Sequence, residues 1–97
     1  MSEIEEFCEE AHSVAREHGW WDKNRDHKEA ILMIITELCE GVQKDRAGDN
    51  DGFEEEIVDV WIRLADLTGY LNFDIEEGIR KKMEYNKTRP YRHNRKY

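Results

Sequence analysis

The fold class is decided by residues 27–46, which have the sequence HKEAILMIITELCEGVQKDR. Apolar residues recur there every three or four positions, as one face of an α-helix requires: Ile31, Ile34, Ile35, Leu38 and Val42. Asp26 is placed to act as the N-cap of this helix, because its carboxylate can accept from free backbone N–H groups. Further apolar residues outside that face, Leu32 and Met33 among them, indicate a helix that is buried on more than one side.

Three further segments have helical spacing, and no segment shows the sustained alternation typical of a strand. The predicted helices, with the residues that end or begin them, are about 3–18 with Gly19, 53–68 with Gly69, and 75–87 with Asp74 as N-cap. The one proline, Pro90, follows the last of them. The sequence therefore predicts an all-α chain with a single domain over residues 1–97, folded as an antiparallel bundle of about four helices.

The predicted helices carry more apolar surface than one small bundle can cover. A chain of 97 residues buries a modest core. Residues 27–46 and 53–68 each have two apolar faces, and a neighbour within the chain covers only one of them. We therefore expect the bundle to be completed by homo-oligomerisation, as a dimer or a tetramer.

Charge is divided unevenly along the chain, whose formal net charge is −8. Residues 80–97 hold eight of the 15 Lys and Arg residues but one of the 23 Asp and Glu residues. The acidic body makes nucleic acid an unlikely partner in general, although the basic tail keeps that option open. The longest apolar run, Ala30–Ile35, is too short to span a bilayer, and the acidic N-terminus is unlike a signal peptide. We expect a cytoplasmic protein with no membrane partner.

Two pairs of acidic residues stand in otherwise apolar helices. Glu37 and Glu40 are three positions apart in one helix, and Glu56 and Asp59 are three apart in the next. Residues at this spacing share a helix face, so each pair directs two carboxylates the same way. Most such pairs are solvated, but in an antiparallel arrangement these two would meet at a similar depth.

Four converging carboxylates repel one another unless a cation neutralises them. Neither acidic face carries His or Cys, and oxygen-only ligands suit hard cations, so we expect Mg²⁺, with Mn²⁺ as the substitute. Lys44 and Arg63 fall on the same two faces. We predict surface or intra-helix ion pairs for both and consider them weaker candidates for binding phosphate.

The order of these acids resembles the signature of the MazG-like all-α nucleoside triphosphate pyrophosphohydrolases. Residues 36–40, TELCE, are similar to the first motif of that family, and residues 54–66, EEEIVDVWIRLAD, are similar to the second. Residues 82–93, KMEYNKTRPYRH, resemble the Lys-xxx-Asn-xx-Arg-Pro ending of many members, and Gly19–Trp21 also has counterparts. Gly41 departs from the pattern, since such helices more often carry alanine there.

The resemblance implies an enzyme that cleaves nucleoside or deoxynucleoside triphosphates between the α- and β-phosphates. The products are a nucleoside monophosphate and pyrophosphate, and the role is nucleotide-pool control or house-cleaning. Glu37, Glu40, Glu56 and Asp59 would bind Mg²⁺ and carry the catalysis, and which acid is the general base stays open. By the same resemblance, the tail residues Lys82, Asn86 and Arg89 contact substrate phosphates, including across a subunit interface.

Two adjacent tryptophans, Trp20 and Trp21, precede the helix at 27–46. We expect one to cap the core and the other, Trp21, to stack on the nucleobase, because aromatic faces accept bases with little selection. The four histidines are expected on the surface.

Three alternatives remain at this point. One is a helical oligomeric interaction module without catalysis, whose basic tail contacts nucleic acid. Another is a metal-dependent phosphohydrolase that releases orthophosphate. The last is a chain that keeps the fold of the family and has lost its activity.

Overall fold

The computed structural model describes residues 1–22 and 24–94, and all regular structure in that part of the chain is helical. The elements are α1 (Glu3–Glu17), α2 (His27–Arg46), α3 (Asn50–Leu71), α4 (Ile75–Thr88) and a short 3₁₀ helix (Tyr91–Asn94). The predicted all-α class is thus confirmed for the described residues. Arg95 and Lys96, which belong to the predicted basic tail, lie outside them.

The end of α1 is set by Gly19, as its sequence position predicts. Gly19 has a φ of +82°, which glycine adopts without steric cost. The backbone N–H groups of Gly19 and Trp20 donate to the carbonyls of Arg16 and Ala15, at 3.1 and 3.0 Å. These two bonds form a Schellman motif, which satisfies the last carbonyls of α1 and places both tryptophans directly beyond the helix.

The connection between α2 and α3 is shorter than the sequence predicts. Gly48, with a φ of +79°, ends α2, and the Asp49 side chain caps α3 by accepting from the Gly52 backbone N–H at 2.9 Å. Helix α3 therefore begins at Asn50 rather than near residue 53. At the other end of α2, Asp26 is confirmed as the N-cap, accepting from the backbone N–H of Lys28.

Helices α2 and α3 run antiparallel, since Lys44 pairs with Glu56 and Glu37 with Arg63, and Gly41 lies at their interface. A Cβ atom on Gly41 would lie 3.4 Å from the Glu56 Cβ and 3.7 Å from the Phe53 ring. The helix continues without a break through this position. Gly41, the residue that departs from the family pattern, therefore brings the backbone of α2 close to the base of the Glu56 side chain.

Gly69 does not end α3, although the sequence suggested a stop there. The helix continues to Leu71 and ends at Asn72, whose left-handed φ of +56° is typical of helix termination. A Cβ atom on Gly69 would lie 2.7 Å from both the Cys8 carbonyl oxygen and the His12 Cβ. Glycine is needed here because α1 and α3 are in backbone contact.

The core is divided between the two faces of α3. One cluster joins α2 to α3 and the other joins α1 to α3: Ala30, Ile34, Val60 and Leu67 in the first, and Cys8, Ala11 and Ala65 in the second. Helix α4 has no buried residue. It is attached at its beginning, where Ile75 packs against the second cluster.

Much apolar surface remains exposed on this chain. The accessible area is 7861 Å², whereas roughly 5,900 Å² is expected for a folded monomer of this mass. The radius of gyration is 16.1 Å, against about 13 Å for a compact domain of similar length. Large apolar side chains on α2 and α3 are 41 to 65% exposed: Ile31, Leu32, Ile35, Leu38, Val42, Val58, Trp61, Ile62 and Leu64.

None of the helices in the described residues combines the length and the apolar composition that crossing a lipid bilayer requires.

Candidate metal centre

Three carboxylates converge between α2 and α3. Glu37 comes from the middle of α2, and Glu56 and Asp59 come from successive turns of α3. One oxygen from each can be chosen so that all lie within 4.8 Å of one another. The antiparallel packing at Gly41 produces this convergence, because it brings the Glu56 turn of α3 against the second half of α2.

Two oxygens of this cluster are buried without a partner. Oε2 of Glu37 and Oε2 of Glu56 are inaccessible and accept no hydrogen bond from any described residue. Glu56 is 7% exposed, which makes it the one buried charged residue in the described part of the chain. A buried carboxylate oxygen without a donor costs free energy, and a bound cation would offset that cost.

Two bases hold the other oxygens of the same glutamates. Nζ of Lys44 donates to Oε1 of Glu56 at 3.1 Å, and Nε of Arg63 donates to Oε1 of Glu37 at 2.5 Å. The hydrogen bond to Glu56 raises the pKa of Lys44. Both ion pairs cross between α2 and α3 rather than lying within one helix, and the Lys44 side chain is 38% exposed. Each glutamate therefore commits one oxygen to a base and keeps the other free.

A cavity of about 320 Å³ adjoins the cluster on the side of α1. Asp59 and Arg63 belong to its wall, together with Trp20 and Asp66, and the rest is mostly apolar surface of α1 and α3. Because Asp59 belongs to both, a ligand in the cavity lies beside the carboxylates. A mostly apolar pocket with a few charged groups is typical of a site for a small organic ligand.

The structure does not bring all of the predicted site residues together. Glu40 is exposed on α2 and is not part of the converging set. Lys82 and Asn86 are exposed on α4, and Arg89 is half-buried at its end. Within the described residues, none of these α4 side chains lines the cavity or pairs with a carboxylate of the cluster.

Lys82 and Arg89 do share one side of α4, as their spacing predicts. Nζ of Lys82 lies 4.9 Å from the centre of the Tyr85 ring, and Cζ of Arg89 lies 5.4 Å from it. The two cations thus flank one aromatic side chain. They form a basic surface that is separate from the carboxylates within a single chain.

The two tryptophans have different environments. The Trp21 ring stacks on Tyr70 with 3.9 Å between centroids and 5° between planes, and its Nε1 donates to Asp66 at 2.8 Å. It also packs against the core cluster between α2 and α3. Trp20 is 43% exposed and lines the cavity. Base stacking by Trp21 stays a prediction, and the tryptophan that the structure places in the cavity is Trp20.

His12 was missed by sequence reasoning, which expected it on the surface. Its side chain is 16% exposed, and Nδ1 lies 2.9 Å from the Oδ1 atom of Asp66 that also accepts from Trp21. The imidazole contacts the Trp21 and Tyr70 rings edge-on. The only signal in the sequence for this contact was the position of Asp66 on the acidic face of α3. It could not identify His12, because the partners of Asp66 come from α1 and from a loop.

The residues present fit a divalent cation. Three carboxylates oppose two bases, which leaves one unbalanced negative charge, and the two buried free oxygens are ligand atoms of the type that Mg²⁺ and Mn²⁺ prefer. Glu37, Glu56 and Asp59 would hold the cation, and an ion with so few protein ligands would also take water or phosphate oxygens. The predicted set of four ligands is thus represented by three that meet in the chain.

The chain matches no family model, no curated protein and no solved structure.

Proposed function

We propose that this chain is a Mg²⁺-dependent nucleoside triphosphate pyrophosphohydrolase of the MazG-like kind. It would cleave nucleoside or deoxynucleoside triphosphates between the α- and β-phosphates and release a monophosphate and pyrophosphate, in nucleotide-pool control or house-cleaning. The observation that carries the proposal is the meeting of Glu37, Glu56 and Asp59 with two buried, unpartnered oxygens. The motif resemblance supplies the reaction, and the geometry supports a place for the cation that the reaction needs.

In this proposal Glu37, Glu56 and Asp59 hold the cation, and the adjoining cavity takes the nucleoside. The chemistry that the ion supplies when bound is neutralisation of phosphate charge and acidification of a water molecule. Lys44 and Arg63 orient Glu56 and Glu37, because each base donates a hydrogen bond to the second carboxylate oxygen of its glutamate. The exposed Trp20 is available in the cavity for contact with a base.

We also propose that the functional unit is a homo-oligomeric helical bundle. The excess accessible area, about 2,000 Å² over that expected for a monomer, is more than twice what one partner contributes to a standard interface. The exposed apolar faces of α2 and α3 are the surfaces that a second copy would cover. In such an assembly Lys82, Asn86 and Arg89 would reach the site of a neighbouring subunit.

Product analysis tests the proposed reaction. The chain is incubated with single nucleotides and Mg²⁺, and the released anion is identified as pyrophosphate or orthophosphate. We expect pyrophosphate in a one-to-one ratio with monophosphate, and no turnover when EDTA is present. Orthophosphate alone would identify a phosphohydrolase of different regiochemistry. No turnover across canonical and modified nucleotides would contradict the proposal.

A second candidate function is a helical interaction module that contacts nucleic acid and has no catalytic activity. The observation that favours it is the exposed basic side of α4, where Lys82 and Arg89 flank Tyr85 apart from the carboxylates. It predicts salt-dependent binding of single-stranded DNA that is lost when both residues are neutralised. It leaves the buried free oxygens of Glu37 and Glu56 unexplained.

A further inference from the structure

We propose that Arg63 binds a phosphate group of the substrate with its two terminal nitrogens while its Nε stays on Glu37. This inference rests on the proposed function and adds to it a phosphate-binding residue from within the helix pair. Arg63 lies in the segment that resembles the second family motif, where the sequence indicated it only as a weaker candidate for binding phosphate. Its ligand class is an organic phosphate that is bound next to a divalent cation.

The contacts of Arg63 leave both terminal nitrogens of its guanidinium group available. Nε donates to Oε1 of Glu37 at 2.5 Å, and neither terminal nitrogen has a hydrogen-bond partner among the described residues. The side chain is 27% exposed and belongs to the wall of the cavity. An arginine offers five N–H donors in a fixed plane, so four remain when Nε is engaged. Paired terminal nitrogens match the geometry of a phosphate group.

Two neighbours hold the guanidinium plane in position. Glu37 fixes one edge, and the Trp20 ring lies 5.0 Å from Cζ, within the range of a cation–π contact. Asp59, one turn earlier on α3, lines the same cavity. A phosphate held in the cavity beside Asp59, which would bind the cation, would therefore lie next to the free nitrogens of Arg63. The ordering cost of the long side chain is met before the ligand arrives.

Other bases of the described residues are less suited to this role. Lys44 pairs with Glu56 but does not line the cavity, and the α4 bases lie outside it. Arg25 lies 5.6 Å from the Trp20 ring, yet it is likewise absent from the cavity wall. Arg63 alone of the lysines and arginines described combines a carboxylate of the cluster with the adjoining space.

The test separates phosphate binding from support of the metal ligand. Mn²⁺ affinity is measured by calorimetry without nucleotide, and the affinity of an α,β-methylene triphosphate analogue is measured with Mg²⁺ present. The variants are R63Q, which can still hydrogen-bond Glu37, R63K, which keeps the charge without the planar fork, and R80Q as the control. Arg80 also bonds a glutamate at 2.5 Å, Glu77, but on the exposed side of α4.

We expect R63Q to weaken analogue binding by about 10- to 100-fold, as for loss of charged hydrogen bonds, and to leave Mn²⁺ affinity equal or tighter because a nearby positive charge is gone. R63K should lie between R63Q and the unaltered chain, and R80Q should change neither affinity. Equal losses of Mn²⁺ and analogue affinity in R63Q would show that Arg63 only supports Glu37, which overturns the inference. If the unaltered chain binds the analogue tightly and R63Q binds it equally well, the inference about Arg63 is overturned and the proposed function is not. If the unaltered chain binds neither Mn²⁺ nor the analogue, the proposed function itself fails.

Discussion

Two acidic residues on α3, Asp66 and Glu56, face different neighbouring helices and differ in their hydrogen-bond partners. Asp66, on the α1 side, has both of its donors in place, since His12 and the Trp21 indole lie 2.9 and 2.8 Å from its Oδ1. Glu56, on the α2 side, is more deeply buried, and its Oε2 has no partner. Both carboxylates arise from the same acidic face in the sequence. Asp66 thus joins parts of the fold, whereas Glu56 keeps one oxygen available for the proposed cation.

The two interfaces of α3 also differ in how well their polar groups are paired. The α1 side is in backbone contact at Gly69 and closes over a satisfied polar cluster. The α2 side brings three carboxylates together and balances them with only two bases. A fold that needed stability alone would have no use for that repulsion. The cavity also lies on the α1 side, so it is stability and metal binding that are expected to separate by interface, which the following changes test.

The largest effect is expected from Glu56→Gln. Replacing this ligand removes a charged oxygen that faces the proposed cation, so Mn²⁺ affinity should fall by at least about 100-fold. Calorimetric titration with Mn²⁺ measures the change, and Glu54→Gln, an exposed position on the same helix, is the control. Similar Mn²⁺ affinities for the two variants would show that the cluster is not a metal centre.

Next in size is the cost of removing Asp66. Asp66→Ala leaves the Trp21 indole N–H and the His12 imidazole without their acceptor inside the fold, which should lower the free energy of unfolding by about 2–3 kcal/mol. Denaturant unfolding with tryptophan fluorescence measures it. Mn²⁺ affinity, compared at a temperature where the variant is folded, should be retained. A loss of metal binding without a loss of stability would reverse the roles given to the two acids.

The glycines at the two interfaces should respond differently to the same change. Gly69→Ala places a Cβ 2.7 Å from the α1 backbone, and this overpacking should cost about 2 kcal/mol of unfolding free energy. Gly41→Ala meets an ordinary contact at 3.4 Å and should stabilise α2 by about 0.5–1 kcal/mol. Thermal unfolding of both variants is the measurement. Equal destabilisation would show that α2 is packed as closely as α1.

A smaller effect of opposite sign is expected at Asp59. None of the ion pairs of the described residues includes Asp59, so Asp59→Asn removes a like charge from the cluster without leaving a base unpaired. The metal-free chain should gain about 1 kcal/mol of stability and lose the rise in melting temperature that Mg²⁺ produces. Melting curves with and without Mg²⁺ measure both. A destabilised metal-free variant would contradict the proposed repulsion.

The smallest effect concerns pH and Lys44. Its hydrogen bond to Glu56 raises its pKa, so the protonated form is favoured more in the folded chain than in the unfolded one. The stabilisation is therefore fully present below the ordinary lysine pKa and disappears as pH rises through the raised value. The difference in melting temperature between the unaltered chain and Lys44→Gln should shrink over that alkaline range. A constant difference would show that the ion pair has no part in stability.

Local signals in the sequence predicted most of the helical structure. Asp26 and Gly19 mark the ends they were expected to mark, because capping and positive φ depend on residues next to each other. The prediction that Gly69 ends α3 was wrong, because the sequence does not distinguish a glycine that permits close helix contact from one that terminates a helix. The pairing of Glu37 with Glu56 and Asp59 was predictable from antiparallel packing. The exclusion of Glu40 was not, because it depends on the rotation of α2 about its axis.

By itself the sequence determined the four helices, the ends marked by Gly19, Asp26 and Asp74, and the acidic faces on helices that are otherwise apolar, because these follow from residue spacing and local capping. Only the tertiary structure decided that Glu40 stays outside the converging set and which acids receive hydrogen-bond donors. Asp66 and Glu56 share a face in the sequence, yet one receives donors from α1 and a loop while the other keeps a free buried oxygen. The physical reason is that the hydrogen-bond donors come from chain segments distant in sequence. Whether they reach a carboxylate depends on how α1 and α2 pack against α3.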